Sequence, residues 1–556
     1  MKTCFSASST TAARQAALRI TFTLLALASC LAGSASAKNI ITAASIQRDD
    51  VNAAVSKAHD GDIVLIPPGI ADWTNYILVR PAITLQFAGI GKSIILDDIV
   101  ATNNGNPSYT QSAITLWPTN LNVLTRITGL EVRAGTNGRP ANSYEKGTFQ
   151  ILGATYNARI DHCLFTNVSN DAIEPYNSAC PLVDHCSYYQ NKVNANQHFI
   201  YIQHHTWGGG TYNYGDGSYE QPATLGTSNA VYVENCDFTG PGGGVYSSCI
   251  DSWAGGRWVF RYNTLTNCSI EAHGTESGGV TRSTRSFEIY GNYGTFPSHY
   301  LLFTEIRGGS GVVWSNTTFG YNNFVNLNTY RSSIYYQWWG AATGTNNLDL
   351  NPPENSVGPA MVLTHAGTNG SMKLVVTNYF DKDFLRGYSI IDMNTPAPFM
   401  GPTNQPRYAC INFGQIVSNS FANGVTTCLL LPGSGGSTQT LFQNGDQIAF
   451  YLPCIIAVDM PGVGQSGVLS RIAKGTSAGQ PLNYPTNVVE PIYGWGNTLN
   501  GADGLIYAVN PVIKENVHYF NDTVMPGYAP FRYPHPLALT GSWGSLLPPT
   551  NLRVVQ

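Results

Sequence analysis

A cysteine or an asparagine recurs at the same position of six similar short segments along the middle of the chain. In each segment an apolar residue stands three positions earlier, and a small polar turn often follows. These residues are Cys163, Cys186, Cys236, Asn263, Asn292 and Asn316. Successive members lie 23, 50, 27, 29 and 24 residues apart, and the step of 50 is close to two of the others. A period of this length, built from short strands, is typical of a solenoid.

The repeat predicts an all-β solenoid, a parallel β-helix in which each turn of the chain forms one rung. One rung cannot bury its own apolar face, whereas rungs stacked about 4.8 Å apart bury a continuous core. The apolar spacing of a helical solenoid is not visible. Asparagine at a repeated inward turn would bond its amide to the backbone and to the asparagine of the next rung. Cysteine would fill the same position as a small apolar group.

The composition agrees with many strands and tight turns. Only 11% of the 556 residues are charged, whereas glycine (57) and tyrosine (31) are abundant, a balance that disfavours helices and disorder. One short amphipathic helix, from Ile46 to His59, is predicted to cap the open end of the solenoid. We expect one β-helix domain over 38–556, with loop-rich insertions at about 327–480 and a C-terminal segment packed on the last rungs.

Residues 1–37 have the pattern of a signal peptide. Basic residues precede the apolar run 20–28, and Ala35–Ala37 forms a small-residue cleavage site. The apolar run is too short to span a membrane. Lipid attachment at Cys30 is an alternative, because the residues before it resemble a bacterial lipoprotein box. The sequence therefore predicts a secreted, periplasmic or cell-surface monomer.

The mature chain would be mildly acidic. Removal of residues 1–37 leaves 26 basic residues (29 − 3) against 33 acidic ones, a net charge of −7. This balance gives no reason to expect nucleic acid as a partner, and it does not prevent a local basic cleft from binding an anionic polymer.

Nine cysteines would remain in the mature chain (11 − 2), an odd number. The three that alternate with asparagine are predicted to be interior thiols rather than disulfides. Export permits disulfides among the others. The pairs left open are Cys180 or Cys249 with Cys268, and Cys410 with Cys428 or Cys454.

Several segments resemble the pectate-lyase-like superfamily, and in particular its secreted bacterial members. The resemblance lies in the short helix followed by Gly61–Gly69 and Ile83–Gly91, and in Val259–Asn263, Ala272–Gly274, Arg282–Asn292, Arg307–Gly309 and Tyr533–Leu537. It covers roughly residues 40 to 540. It implies a right-handed parallel β-helix that acts on, or binds, an acidic polysaccharide. The superfamily holds polysaccharide lyases, glycoside hydrolases and non-catalytic adhesins.

One candidate site lies beside the column of inward residues. Alternation within a strand places Asp161, Asp184 and Glu234 outward on neighbouring rungs, with Arg261 one rung further. Close carboxylates repel one another unless a cation joins them, so a Ca²⁺ site is one hypothesis. A solvated polar stripe with ordinary salt bridges is the alternative, in which case no cofactor is required.

A second candidate site lies on the next strand of each rung, where ionisable groups concentrate in a chain with few charges. The residues are His205, Asp251, Glu271, His273, Arg282, Arg285, Glu305 and Arg307. Glu271 and His273 share one face of their strand, and Glu305 and Arg307 share the same face one rung further. An inert polar ladder is the alternative interpretation.

If the substrate is a uronic-acid polymer, as the resemblance implies, this face could catalyse β-elimination. That reaction needs neutralisation of the uronate, a base for the C5 proton and an acid for the leaving oxygen. The hypothesis makes Arg307 and Arg282 carboxylate clamps and His273 the base, with Arg285 or Tyr290 assisting. Substrate contacts would come from Glu271, Glu305, His205, Asp251 and Tyr290.

Two other functions remain open. A glycoside hydrolase would use two carboxylates, for which Asp251, Glu271 and Glu305 are candidates. A non-catalytic carbohydrate-binding or adhesin protein could use the aromatic run 335–339 to stack on sugar rings.

Overall fold

The structure is a computed structural model, and its described part begins at Lys38. The described residues are 38–100, 102–103, 106–136, 147–168, 171–191, 198–209, 214–242, 247–274, 281–328, 360–364, 373–376, 382, 389–392, 399–400, 406–407, 413–430, 447–451, 459–466, 487–509 and 513–539. The expected signal peptide with Cys30, the aromatic run 335–339, Cys410 and Cys454 lie outside them. None of the described helices has the length and apolar character needed to cross a bilayer.

Three parallel sheets run along the molecule, and most rungs contribute one strand to each. Sheet A has twelve strands. They are β1 (Ile40–Thr42), β2 (Ile63–Ile66), β5 (Thr84–Phe87), β10 (Thr125–Thr128), β13 (Ala158–Asp161), β16 (Leu182–Asp184), β19 (Val231–Glu234), β22 (Arg257–Arg261), β25 (Ser286–Tyr290), β27 (Ser310–Trp314), β37 (Ile492–Trp495) and β41 (Tyr519–Phe520).

Sheets B and C share two long strands and are otherwise separate ladders. Sheet B contains β3 (Gly69–Trp73), β6 (Ser93–Asp97), β11 (Glu131–Ala134), β14 (Leu164–Thr166), β17 (Ser187–Tyr189), β20 (Asp237–Thr239), β23 (Thr264–Thr266), the starts of β26 (Tyr293–Ile306) and β28 (Thr317–Leu327), β38 (Thr498–Leu499) and β39 (Ala502–Asp503). Sheet C contains β4 (Ile77–Val79), β9 (Ile114–Leu116), β12 (Phe149–Ile151), β15 (Ile173–Pro175), β18 (His198–Gln203), β21 (Ser248–Trp253), β24 (Ser269–Ala272), the ends of β26 and β28, and β40 (Ile506–Ala508).

The remaining elements lie outside the three sheets. Antiparallel strands in the expected insertion form a six-stranded sheet, and two short hairpins complete the set. The strands are β7 (Thr102–Asn103), β8 (Asn106–Thr110), β29 (Ala360–Thr364), β30 (Lys373–Val376), β31 (Ser389–Asp392), β32 (Phe399–Met400), β33 (Pro406–Arg407), β34 (Phe413–Ala422), β35 (Val425–Leu430) and β36 (Gln447–Tyr451). Among the described residues, the helices are α1 (Arg48–Val55), a 3₁₀ turn at Trp207–Gly209, α2 (Asp216–Tyr219) and α3 (Pro536–Leu539).

The predicted parallel β-helix is confirmed by the register of sheet A. The six apolar residues that precede the column pair with one another from rung to rung, and all are fully buried. They are Ile160, Val183, Val233, Phe260, Ile289 and Val313. Parallel strands joined by crossovers are almost always right-handed, which gives the coil its expected hand.

The predicted asparagine ladder is present in the interior. The Asn263 backbone N–H donates to Asn292 Oδ1 at 2.9 Å, and the Asn292 backbone N–H donates to Asn316 Oδ1 at 3.1 Å. Asn316 repeats the contact with Asn497 Oδ1 at 3.0 Å, so the ladder extends one rung further. At its other end the Cys236 N–H donates to Asn263 Oδ1 at 2.9 Å. Each amide oxygen therefore satisfies a buried donor that the turn would otherwise leave unpaired.

The three cysteines of the column are buried thiols, as expected. The residue before each member of the column has a left-handed backbone, with φ between +51° and +67°. These residues are His162, His185, Asn235, Tyr262, Gly291 and Ser315. One left-handed residue per rung turns the chain sharply from sheet A into sheet B, which places the column residue inside.

The capping helix is shorter than predicted but lies at the expected end. Helix α1 spans Arg48–Val55, and its buried residues Val51, Ala54 and Val55 belong to the same apolar core as the first strands. Asp49 and Asp50 occupy its first turn, where a helix dipole favours negative charge.

The C-terminal strap, residues 525–539, crosses the outer face of sheet A. Its Tyr528 hydroxyl donates to Glu288 on β25 at 2.5 Å, and the His535 N–H donates to Glu234 on β19 at 2.9 Å. Arg159 on β13 donates to the strap's carbonyls of Leu537 and Ala538, at 3.3 and 3.2 Å. The strap therefore runs back from the late rungs toward the earlier ones and covers the charged residues of this face.

Replacement of Asn292 by alanine should lower the free energy of unfolding by about 3 kcal/mol, because two buried donors of Asn263 lose their acceptor. Chemical denaturation followed by circular dichroism measures the change. The matched control is Asn229→Ala at an exposed asparagine, which should stay within about 0.5 kcal/mol of wild type. Equal stability of the two variants would contradict a supporting role for the ladder.

Candidate functional site

The outer face of sheet C brings together five of the eight residues of the second candidate site. Tyr201 pairs with Asp251, Glu271 pairs with Glu305, and Glu305 pairs with Asn326. Asp251 and Glu271 each follow one member of the Ile250–Ile270 pair, so they also lie on neighbouring rungs. Three carboxylates therefore follow one another along the solenoid axis, about 4.8 Å apart as strand spacing requires.

A second column on this face contains His273 and Arg307. The Arg307 backbone N–H donates to the Ala272 carbonyl at 2.8 Å, which fixes the two side chains on adjacent rungs as predicted. Arg307 Nη2 lies 2.6 Å from His273 Nδ1 and also bonds Glu271. His273 Nδ1 lies 3.0 Å from Asp251 Oδ2. The imidazole, the guanidinium and two carboxylates thus form one contact network.

Sequence reasoning missed three residues that extend this network, His198, Asp171 and Tyr201. His198, the first residue of β18, places Nδ1 3.3 Å from Asp171 Oδ1 and Nε2 3.4 Å from Asp251 Oδ2. Its ring stacks on Tyr201 with centroids 4.8 Å apart. None of these three residues belongs to a repeated motif. The available signal was the position of His198 at the start of a sheet C strand, β18.

The environment separates the protonation behaviour of the two central carboxylates. Burial opposes ionisation of Asp251, but His273, His198 and Arg307 outweigh it and hold its pKa below the ordinary value. Burial and the neighbouring Asp251 charge raise the pKa of Glu271. Groups whose pKa values are pushed apart are characteristic of acid–base sites.

The histidines are the accessible members of the network. The side chains of His198 and His273 are 24% and 21% exposed, whereas Asp251 is fully buried and Glu271 is 6% exposed. The indole of Trp253 lies against His273, with ring centroids 5.4 Å apart. A ligand approaching this face would therefore meet imidazole before carboxylate.

His205 lies on the same sheet but closer to the N-terminal end. Its Nε2 contacts Gln203 at 2.9 Å, and Gln203 in turn donates to Glu174 at 3.0 Å. The ring packs on Tyr176 with centroids 4.9 Å apart, and burial lowers the pKa of His205 to about 4. His205 is therefore neutral at physiological pH and forms a polar cluster separate from His273.

The structure corrects the roles expected for Arg282 and Arg285. Arg282 is fully buried and forms a bidentate pair with Asp459, at 2.7 Å from each nitrogen, and a contact of 2.9 Å with Asp216. Arg285 is likewise buried and pairs with Glu490 at 2.8 and 3.0 Å. Both guanidinium groups are occupied by the protein's own carboxylates, so neither is presented to a substrate.

Tyr290 is also placed away from any substrate. It lies on the outer face of sheet A, is 1% exposed, and stacks on Trp314 with centroids 4.5 Å apart. Its hydroxyl accepts a hydrogen bond from Arg261 at 2.9 Å. The side chain is therefore part of the packing between sheet A and the strap.

The expected Ca²⁺ ligands point outward as predicted, but arginines neutralise them. Asp161 pairs with Arg126 at 2.6 Å, Asp184 with Arg159 at 2.7 Å, and Glu234 with Arg261 at 2.6 Å. All three carboxylates are fully buried. A cation would have to displace a guanidinium from each ligand, so these residues do not fit a Ca²⁺ site, and salt bridges are the better account.

Within the described residues, another group has the spacing of a metal site. Ligand atoms of His198, Asp251 and Glu271 lie within 4.8 Å of one another. However, His198 Nδ1 forms a hydrogen bond with Asp171, Nε2 lies at ion-pair distance from Asp251, and Arg307 bonds Glu271. The groups therefore pair with one another instead of directing lone pairs at a shared ion.

Among the cysteine pairs left open by the sequence, Cys249 and Cys268 lie side by side. Their sulfurs are 2.9 Å apart in the interior, and both are thiols in this structure.

Comparison with protein-family models gives no match for the chain, and comparison with curated proteins gives none either. Among solved structures, an alginate lyase from Paenibacillus sp. str. FPU-7 is similar over 52% of this chain and 97% of that one, with 13% identity and a TM-score of 0.32. The catalytic unit of a GH87 alpha-1,3-glucanase from Streptomyces thermodiastaticus strain HF3-3 matches over 52% and 57%, with 14% identity and a TM-score of 0.32. A tailspike protein mutant of E. coli bacteriophage HK620, in complex with a pentasaccharide, matches over 72% and 89%, with 11% identity and a TM-score of 0.30. Likenesses this weak do not assign an activity.

Replacement of Asp459 by asparagine should lower the free energy of unfolding by about 3–5 kcal/mol, because it breaks a fully buried ion pair. Thermal or chemical denaturation measures the loss. The control is Asp503→Asn at an exposed position, which should change the stability by less than about 0.5 kcal/mol. If the Asp459→Asn variant were as stable as the wild type, Arg282 would again be a candidate for substrate binding.

Proposed function

We propose that this protein is an extracellular polysaccharide lyase that cleaves a uronic-acid-containing polymer by β-elimination, with His273 as the base. The observation that carries the proposal is a partly exposed imidazole whose Nδ1 lies 3.0 Å from a fully buried carboxylate, Asp251. A carboxylate in this position orients the ring and favours a proton on Nδ1. Arg307 Nη2 lies 2.6 Å from the same nitrogen and can only donate, so in this tautomer its N–H must be directed at Glu271 instead. The other nitrogen, Nε2, is then the basic atom available to remove a proton.

Arg307 supplies the positive charge that the reaction needs. β-Elimination requires the uronate to be neutralised so that the C5 proton becomes acidic. Arg307 lies beside His273 on the next rung and is 10% exposed. Its guanidinium already bonds Glu271, so it would bind a substrate carboxylate held over the imidazole by sharing its planar fork between the two carboxylates. No metal or cofactor enters this scheme.

A glycoside hydrolase is the second candidate. It is favoured by the consecutive register of Asp251, Glu271 and Glu305, and by the opposite shifts in the pKa values of Asp251 and Glu271. An acid and a base on neighbouring rungs would match the two-carboxylate mechanism. The burial of Asp251 places this candidate second, because a hydrolytic carboxylate must reach the glycosidic bond or its attacking water.

Replacement of His273 by alanine should abolish the ultraviolet absorbance of unsaturated product on the polymer that the wild-type protein cleaves. Loss of a general base costs about 10²–10⁴-fold in rate. The assay uses a panel of acidic polysaccharides, with circular dichroism to confirm the fold. The control is His185→Ala, a 47% exposed histidine on another face that also contacts a buried aspartate, and it should leave the rate unchanged.

The same assay separates the candidates. New reducing ends without ultraviolet absorbance would identify hydrolysis, and Glu271→Gln should then be inactive. An unchanged lyase rate in His273→Ala would remove this residue from the mechanism.

A further inference from the structure

We propose that His198 is an imidazolium at neutral pH, held between Asp171 and Asp251, and that it positions the Asp251 carboxylate for His273. Its catalytic part rests on the proposed function, whereas the charge state of His198 does not. His198 acts through Asp251 and is a positioning residue. His198 therefore extends the site of Asp251 and His273 by one rung toward the N-terminal end of the solenoid.

The contacts of both ring nitrogens favour the charged ring. His198 Nδ1 forms a hydrogen bond of 3.3 Å with Asp171 Oδ1, and Nε2 lies at an ion-pair distance of 3.4 Å from Asp251 Oδ2. A neutral imidazole carries only one N–H and no charge. The doubly protonated ring is therefore the form that both carboxylates attract.

The charged groups around the ring favour the same state. Asp171, Asp251 and Glu271 are the acidic groups that act on it, and Tyr201 stacks against its face. Burial disfavours the charged ring, but the hydrogen bond to Asp171 and the Asp251 charge raise the pKa of His198 to about 9. Arg307 and His273 act on Asp251 and Glu271 from the opposite side.

The two histidines share a single oxygen of Asp251. Oδ2 lies 3.4 Å from His198 Nε2 and 3.0 Å from His273 Nδ1, while Oδ1 accepts the Ser252 backbone N–H at 2.7 Å. A fully buried carboxylate would otherwise tend to take up a proton. His273, His198 and Arg307 together keep Asp251 ionised. The His198 charge contributes to this, so that Oδ2 can accept the Nδ1 proton of His273 and Nε2 is left as the base.

The direct test is nuclear magnetic resonance of the full chain labelled with ¹⁵N-histidine. The His198 signals are assigned by their loss in His198→Gln or, if that variant does not fold, in His198→Asn. Both ring nitrogens should remain protonated at pH 7.5, with a titration near pH 9. A neutral His198 ring at pH 7.5, or a titration near the ordinary value of about 6.5, would overturn the proposal.

Asp171→Asn tests the coupling, because it removes one charge and keeps the side-chain shape. The titration of His198 should move to lower pH. On a cleaved polymer, kcat should fall with little change in KM, and the pH–rate profile should shift. The control is Asp237→Asn on sheet B, which should change none of these. An Asp171→Asn variant with wild-type titration and pH profile would refute the coupling.

The two proposals fail in different ways. If no polymer is cleaved, the proposed function fails while the titration of His198 still decides its charge state. If a polymer is cleaved and His198 is neutral, the lyase proposal stands and this inference fails.

Discussion

The fold depends on a hydrogen bond that is repeated between rungs. At the turns from sheet A to sheet B that contain Cys236, Asn263, Asn292 and Asn316, a backbone N–H is buried in the interior. An asparagine oxygen from the next rung accepts it at 2.9–3.1 Å from Asn263 to Asn316. The ladder fixes the axial register of the rungs that it joins, from Cys236 to Asn497, since a slipped rung would leave a buried donor unpaired. The contacts among His198, Asp251 and His273 require that register.

The sequence predicted the structural features that recur from rung to rung. The inward column, its apolar neighbours and the adjacency of His273 with Arg307 all follow from strand alternation and a constant rung. The partners of the buried arginines follow no such rule. Arg282 binds Asp459, 177 residues away, and Arg285 binds Glu490, 205 residues away. A low-charge chain suggested that clustered arginines serve a ligand, whereas burial shows that they hold distant segments to the solenoid.

The charged side chains of sheets A and C have different partners and different exposure. On sheet A, Asp161, Asp184 and Glu234 each pair with an arginine, and Glu288 accepts the hydroxyl of Tyr528 from the strap. The strap's backbone also accepts hydrogen bonds from Arg261, so little charge is left for a ligand. On sheet C, histidines take the place of most arginines and keep part of their surface exposed. Histidine can gain or lose a proton near neutral pH, which arginine cannot. This difference distinguishes a supporting face from one suited to chemistry.

The strap has a consequence for cooperativity. In a simple solenoid each rung touches only its neighbours, so unfolding can begin at one end and proceed rung by rung. Here one segment at the C-terminal end of the described chain bonds β25, β22, β19 and β13 in turn. Fraying of the last rungs would release contacts far along the axis. The protein therefore gains long-range coupling that nearest-neighbour stacking alone does not provide.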